Sequence, residues 1–155
     1  SDIDASDAAT ASSDGAEPPW RRDLWLERIV GWNDVEADTA IRKGLSIDLA
    51  MHLQELLDLT DAEAARILGR SRSTYARYRN AGRALGVAEG ERAVRVARLI
   101  ALAADTVGAL DKAARWMREA NYALGGRVPL VMAETEPGAR VVRNLLHGIQ
   151  HGHPV

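Results

Sequence analysis

Apolar residues recur along most of the chain every three or four positions, the spacing that places them on one face of an α-helix. Ile47, Ala50, Leu53 and Leu57 are one such series. The stretch 90–108 is apolar over a wide arc, which predicts a central helix buried on most of its sides. No segment keeps the apolar–polar alternation of a strand. The pattern therefore predicts an all-α helical bundle of roughly seven or eight helices.

Capping residues predict where several of these helices begin and end. Ser46 is a predicted N-cap, and Thr60 followed by Glu63 has the spacing of a capping box. Gly69 is expected to end the helix that Thr60 starts, and Ser71 to cap the next one. The remaining predicted boundaries are Gly31 and Gly44 at helix ends and Thr135 before the last helix, where Pro137 is tolerated in the first turn.

Composition limits the class of protein. Hydrophobic residues make up 46% of the 155, which is enough for a core, and no apolar run is long enough to span a bilayer. The absence of cysteine excludes disulfides and thiolate metal sites. No basic-then-apolar signal pattern opens the chain. These features predict a soluble, cytoplasmic protein.

Charge is distributed unevenly along the chain. Residues 1–19 hold five acidic residues and no basic one, so the net charge of −2 leaves about +3 for the remainder. This acidic stretch also lacks large apolar residues, which predicts a flexible tail. We expect three regions: a tail at 1–19, an N-terminal helical region with a helix-turn-helix at 20–84, and a C-terminal domain at 85–155.

Residues 61–80, DAEAARILGRSRSTYARYRN, have the spacing of a helix-turn-helix. Ala65 is small where the second helix would cross, and Gly69 permits the turn. Five arginines and no acid lie between Arg70 and Arg83, and arginine can contact phosphates or a guanine edge. The alternative is a solvated basic helix on the surface of a bundle. The predicted DNA-binding residues are Arg70, Ser71, Arg72, Ser73, Arg77 and Arg79.

One position departs from the usual helix-turn-helix pattern. The residue after the turn glycine is normally apolar, and here it is Arg70. Tyr75 and Tyr78 replace aliphatic residues on the predicted packing side. The departure leaves open an adaptor protein that has lost DNA binding.

Sites for metals, phosphates or catalysis are not predicted. His147 and His151 could share a helical face near His153, but no acid accompanies them, and a polar helix end is the favoured interpretation over a metal site. Gly125-Gly126-Arg127 lacks the preceding strand and the Lys-Ser/Thr of a phosphate loop. We predict instead that Gly125 or Gly126 ends the helix containing Trp116 in a left-handed conformation. No cofactor and no enzymatic activity are expected.

The C-terminal sequence has a distinctive order of residues. It reads W-x4-N-x2-LGGR-x-PL from Trp116, followed by TEPGARVV-x2-LL-x2-I-x-HG from Thr135. This succession resembles the toxin-binding domain of the Xre/MbcA/ParS family of antitoxins, over about residues 85–152. The upstream helix-turn-helix resembles that family more weakly, because of Arg70. The motif residues are Trp116, Asn121, Gly125, Gly126, Pro129, Thr135 and Gly138.

The resemblance implies a type II antitoxin that binds an NAD-consuming RES-domain toxin and covers its active site. It also implies repression of its own operon through operator DNA, as a homodimer within a larger toxin–antitoxin complex. Trp116, Leu124 and Leu130 are expected to fill the antitoxin's own core. The predicted toxin contacts are Arg127, Arg140, Arg143, His147, His151, His153 and Val155. The alternative function is a stand-alone helix-turn-helix regulator whose C-terminal half dimerises.

Overall fold

Helices account for almost all regular structure in the computed structural model, which describes residues 17–152. Within that range two isolated antiparallel bridges occur, Ser46 with Ala84 and Asn121 with Arg127, and no strand forms. The all-α prediction is confirmed. The helices are α1 Leu24–Gly31, α2 Asp34–Lys43, α3 Ile47–Leu57, α4 Asp61–Leu68, α5 Arg72–Ala81, α6 Val87–Val107, α7 Leu110–Arg118, α8 Pro129–Met132 and α9 Glu136–Gln150, with a 3₁₀ turn at Tyr122–Leu124.

The predicted N-caps form as expected. The Ser46 hydroxyl accepts from the Asp48 N–H at 3.0 Å, and the Ser71 hydroxyl from the Thr74 N–H at 3.2 Å. At α4 the capping box is complete, because the Thr60 hydroxyl accepts from the Glu63 N–H at 3.1 Å and the Glu63 carboxylate accepts from the Thr60 N–H at 2.9 Å. Each cap satisfies backbone donors that a helix start leaves free.

Helix α6 is the centre of the core, as its wide apolar arc predicted. It packs against α1, α2, α4, α7 and α9, so both halves of the described chain share it. Its buried positions include Ala93, Ala97, Ile100 and Ala104, all with no exposed surface. Small alanines let neighbouring helices approach closely, and the larger Ile100 fills the space between them.

The start of α6 differs from the prediction. The helix begins at Val87, three residues before the expected Gly90, and Gly90 is a buried position inside it. A Cβ on Gly90 would lie at an ordinary contact distance, 3.5 Å, from the Ile41 side chain, so this position of α6 faces the end of α2. Gly90 therefore serves a tertiary contact and not a helix boundary.

The end of α7 also differs from the prediction. The helix stops at Arg118 with Glu119 as its C-cap, well before Gly125 and Gly126. Those glycines do adopt the predicted left-handed conformation, with φ of 67° and 85°, but they end the 3₁₀ turn Tyr122–Leu124. The prediction that they end the helix containing Trp116 is wrong, because Asn121 starts a separate hydrogen-bonded turn.

That turn is closed by backbone hydrogen bonds. The Asn121 N–H donates to the Arg127 carbonyl at 3.0 Å, and the Gly126 N–H donates to the Asn121 carbonyl at 2.9 Å. The Asn121 side chain accepts from the Ala123 N–H at 2.9 Å. These local bonds compete with helix continuation, as asparagine side chains commonly do.

Among the described residues, no helix combines the length and the apolar character that crossing a bilayer requires.

Candidate functional site

The segment 61–81 folds as two helices joined at a glycine. Gly69 adopts a left-handed conformation, with φ of 72°, and caps α4. Ala65 is 1% exposed where α4 and α5 meet, which agrees with the small residue expected at a close crossing. Tyr75 and Tyr78 are buried on the inner side of α5, as predicted. This arrangement turns the opposite side of α5 to solvent.

The outward side of α5 carries four of the six predicted DNA-binding residues. Ser71, Arg72, Ser73 and Arg77 are all exposed. Arg77 donates to the Thr74 hydroxyl at 3.1 Å, which holds its guanidinium beside the first turn of the helix. The surface therefore presents two guanidinium groups and two hydroxyls together, the donor types that contact nucleic-acid phosphates.

Arg79, the fifth predicted residue, faces the protein. Its guanidinium donates two hydrogen bonds to the Asp61 carboxylate, at 2.9 and 3.2 Å. The Gln54 amide also donates to that carboxylate at 2.8 Å, and the Tyr75 hydroxyl donates to the Gln54 carbonyl oxygen at 2.6 Å. Hydrogen bonds from Arg79 and then Gln54 lower the pKa of Asp61 to about 2. This network ties α5 to α3 and α4.

Arg70, the sixth predicted residue, contacts a buried acid. Its Nε donates to Glu89 Oε2 at 2.5 Å, and the Glu89 side chain is only 1% exposed. Burial alone would raise the pKa of Glu89, but the hydrogen bonds from the Gly86 N–H and from Arg70 outweigh it and lower the pKa below its ordinary value. The arginine that departs from the usual apolar pattern therefore neutralises a carboxylate from α6.

The C-terminal motif fixes the junction between α8 and α9. Thr135 caps α9 by accepting from the Gly138 N–H at 3.1 Å. A Cβ on Gly138 would lie 1.9 Å from the Met132 carbonyl oxygen, closer than any side chain can tolerate. The two helices therefore approach each other so closely here that only glycine fits at position 138.

The core residues predicted in this motif pack inward. Leu124 is 5% exposed, while Trp116 and Leu130 are partly buried and packed against the core. Pro129 is buried at the first position of α8. The packing of these residues accounts for the conformation of the C-terminal motif. Other side chains form its exposed face.

The predicted toxin contacts on α9 point away from that core. Arg140 is exposed and Arg143 is partly exposed, and each lies 3.7 Å from one exposed carboxylate of Glu136. His147 and His151 are exposed, and Arg143 and His147 line a cleft shared with α2 and α6. Pairs at this distance and exposure hold their arginines weakly. His153 and Val155 lie outside the described residues, as does most of the predicted tail.

Arg127 stands apart from this group. It follows the Gly125–Gly126 turn, and its guanidinium donates to the Leu124 carbonyl at 3.1 Å. The side chain thus stabilises its own turn while remaining exposed.

Among residues 17–152, no three His, Asp or Glu side chains converge on a possible metal position.

Tyr122 is a candidate contact residue that no sequence pattern had indicated. Its ring is 98% exposed on the 3₁₀ turn, next to the two left-handed glycines. An aromatic residue in that position contributes nothing to the core, and tyrosine is among the residues enriched at binding hot spots. The available signal was a tyrosine directly after the turn-forming Asn121.

Comparisons with known proteins place these features in one family. The Antitoxin Xre-like helix-turn-helix domain matches residues 36–98, and the Antitoxin Xre/MbcA/ParS C-terminal toxin-binding domain matches residues 102–152. The chain is 31% identical over 133 residues to Antitoxin Xre of Photorhabdus laumondii, covering 83% of this chain and 88% of the relative. It is 34% identical over 115 residues to Antitoxin Xre of Yersinia enterocolitica, covering 73% and 77%.

A solved structure supports the same architecture. A chain of the M. tuberculosis MbcT–MbcA toxin–antitoxin complex aligns with a TM-score of 0.50 at 24% identity, covering 70% of this chain and 96% of that one. At this identity the likeness concerns the fold alone.

Proposed function

The chain belongs to the Xre family of antitoxins, and on this premise we propose that it neutralises an NAD-consuming RES-type toxin and represses its own operon. The observation that carries the proposal is the match of residues 102–152 to a toxin-binding domain. In the same residues, buried side chains and local hydrogen bonds set the backbone conformation, and charged side chains lie on the exposed surface.

The toxin-docking part of the proposal rests on α9 and the turn before it. Within residues 17–152, Arg140 and Arg143 pair only with the exposed Glu136, so their guanidiniums can turn toward an acidic partner at little cost. Tyr122 offers a large exposed aromatic surface in the same C-terminal motif. We expect these side chains to contact the toxin while the buried motif residues keep α8 and α9 at a set angle.

The neutralisation mechanism is steric. The end of α9 and the residues from His147 onward lie over the toxin's NAD cleft, so substrate cannot enter. No group of this chain needs to react with substrate. Exposed charge on the covering segment would contribute to partner choice, because a like-charge contact with the wrong surface is penalised.

The repressor part rests on the outward side of α5. Arg72 and Arg77 supply positive charge, and Ser71 and Ser73 supply hydroxyl donors at the start of the helix. Phosphate contacts of this kind release counterions, so operator affinity should fall as salt is added. One such helix covers half of a palindromic site, so we expect a dimer on DNA.

Co-expression with the toxin encoded beside it tests neutralisation. Arg143→Glu combined with His151→Glu keeps the length of α9 and should weaken protection, measured as growth and cellular NAD. Arg42→Glu is the matched control, since Arg42 is an exposed arginine on α2 whose partner, among the residues that the structure describes, is Asp38 of the same helix.

Full protection by the double reversal, together with full protection after deletion from His147 onward, would overturn active-site occlusion by this end. If no RES-domain protein co-purifies with the chain from its native operon, the stand-alone regulator becomes the better interpretation.

A further inference from the structure

The ion pair between Arg70 and Glu89 joins the turn before α5 to the first turn of α6. Arg70 is the second residue after α4 ends, and Glu89 is the third residue of α6. The arginine side chain is 47% exposed and the carboxylate 1% exposed. The acid is thus the buried partner, and the arginine reaches inward to it from the surface.

Glu89 has a reason to be buried. One carboxylate oxygen accepts from the N–H of Gly86, the N-cap of α6, at 2.8 Å, which is the half of a capping box that the third helical residue supplies. The other oxygen is held by Arg70. A buried carboxylate without a charged partner is strongly destabilising, so the capping arrangement requires the arginine.

The far part of α5 is held in a comparable way. Arg79 makes its bidentate contact with Asp61 at the start of α4. Two polar contacts, one just before the start of α5 and one in its last turn, therefore hold the helix at both ends. Between them, Arg72 and Arg77 make no ion pair among the described residues.

We propose that Arg70 and Glu89 act as a positioning pair that orients α5 for DNA, and that Arg70 is not itself a phosphate contact. The inference rests on the proposed binding of operator DNA, and it reassigns one of the six residues predicted from the sequence. Glu89, which no sequence pattern marked for function, becomes a determinant of operator affinity without touching DNA.

Salt dependence separates positioning from contact. Each neutralised phosphate contributes about 0.9 to the slope of log affinity against log salt. With a duplex from the promoter upstream of the chain's own gene, Arg72→Met should reduce the slope by about that amount per copy. Arg70→Met should lower affinity roughly tenfold with the slope unchanged. A slope that falls in Arg70→Met as it does in Arg72→Met overturns the proposal.

A double variant gives a second criterion. In Arg70→Met the Glu89 charge is left buried and unpaired, whereas Arg70→Met with Glu89→Gln removes that charge and keeps an oxygen for the Gly86 N–H. The double variant should therefore bind the duplex more tightly than Arg70→Met alone. Equal or weaker binding by the double variant contradicts a positioning pair, because a lost phosphate contact cannot be restored from inside α6.

Hydrogen exchange tests the pair without DNA. Amides at the start of α5, in residues 73–76, should exchange faster in Arg70→Met and slow again in the double variant, with Arg72→Met unchanged. If wild-type protein binds no operator but this exchange pattern holds, the repressor proposal fails and the structural role of the pair stands. Unchanged exchange in Arg70→Met means that the pair does not hold α5.

Discussion

Helices α5 and α9 both carry arginines proposed to meet a partner, Arg72 and Arg77 on one and Arg140 and Arg143 on the other, but the protein positions the two helices differently. Around α5, Arg70 pairs with a fully buried glutamate and Arg79 makes a bidentate contact with Asp61. On α9, Arg140 and Arg143 both approach one exposed Glu136 no closer than 3.7 Å. The first set is hydrogen-bonded to carboxylates of other helices, and the second forms weak pairs within its own helix.

The difference corresponds to two ways of presenting a surface. Helix α5 is oriented by polar side chains, because Arg70 before it and Arg79 within it reach carboxylates of α6 and α4. Helix α9 is oriented by backbone packing, because Gly138 lies against the Met132 carbonyl. A partner of α5 therefore meets a helix held by hydrogen-bonded ion pairs, and a partner of α9 meets weakly paired arginines on a helix held by close backbone packing.

The largest expected effect comes from disrupting the close packing between α8 and α9. Gly138→Ala places a methyl group where only 1.9 Å separates it from a backbone oxygen, so α8 and α9 must move apart. We expect a loss of about 3 kcal/mol in the free energy of unfolding, the upper end of overpacking. Urea denaturation measures it. Gly31→Ala is the control, because nothing lies within 4 Å of the added Cβ; equal stability of the two variants would refute the close-packed junction.

A smaller effect is expected on the α5 side. Tyr75→Phe removes the hydroxyl that donates to Gln54 and leaves that partly buried oxygen without its partner. The free energy of unfolding should fall by about 1–2 kcal/mol in the same urea denaturation experiment, because an unsatisfied buried acceptor costs more than an ordinary hydrogen bond contributes. A neutral result would mean that the network linking α3, α4 and α5 does not stabilise the fold.

Low pH should destabilise the packing of α5, because protonation of Asp61 removes the charge that Arg79 contacts. Its pKa in the folded protein is about 2, below the ordinary 3.8, so the stabilisation is present above about pH 4 and is lost as the pH falls toward 2. Lowered pKa values at Glu63 and Glu89 act in the same direction. Denaturation midpoints measured at decreasing pH should fall more steeply for wild type than for Asp61→Asn. Parallel profiles would contradict the role of the Arg79–Asp61 contact.

The smallest expected effect on stability concerns the exposed arginines of α9. Replacing both Arg140 and Arg143 by Ala should change stability by no more than about 0.5 kcal/mol, because weak exposed pairs contribute little. Circular dichroism melts are sufficient to check this. A clear loss of stability would show that α9 depends on its arginines as α5 does.

Local chemistry made much of the fold predictable. Ser46, Thr60, Ser71 and Thr135 cap helices where their spacing indicated, because each hydrogen bond spans only two or three residues. The wide apolar arc of α6 likewise predicted its central position. Both signals are contained in short windows of sequence.

Glycines were harder to interpret, because the same residue serves different purposes. Gly69 ends a helix as expected, but Gly90 faces the end of α2 from inside α6, and Gly125 ends a 3₁₀ turn after α7 has already stopped. Sequence alone gives the conformational freedom of glycine and not the neighbour that requires it.

By itself, the sequence determined the helices, most of their caps, and the order of motif residues that marks this family. The tertiary structure alone decided what each arginine does. Arg70 and Glu89 are 19 residues apart, and Arg79 and Asp61 are 18 apart. A run of charged residues does not indicate which acid each arginine will pair with at such separations. Only the folded backbone brings the two side chains within hydrogen-bond distance.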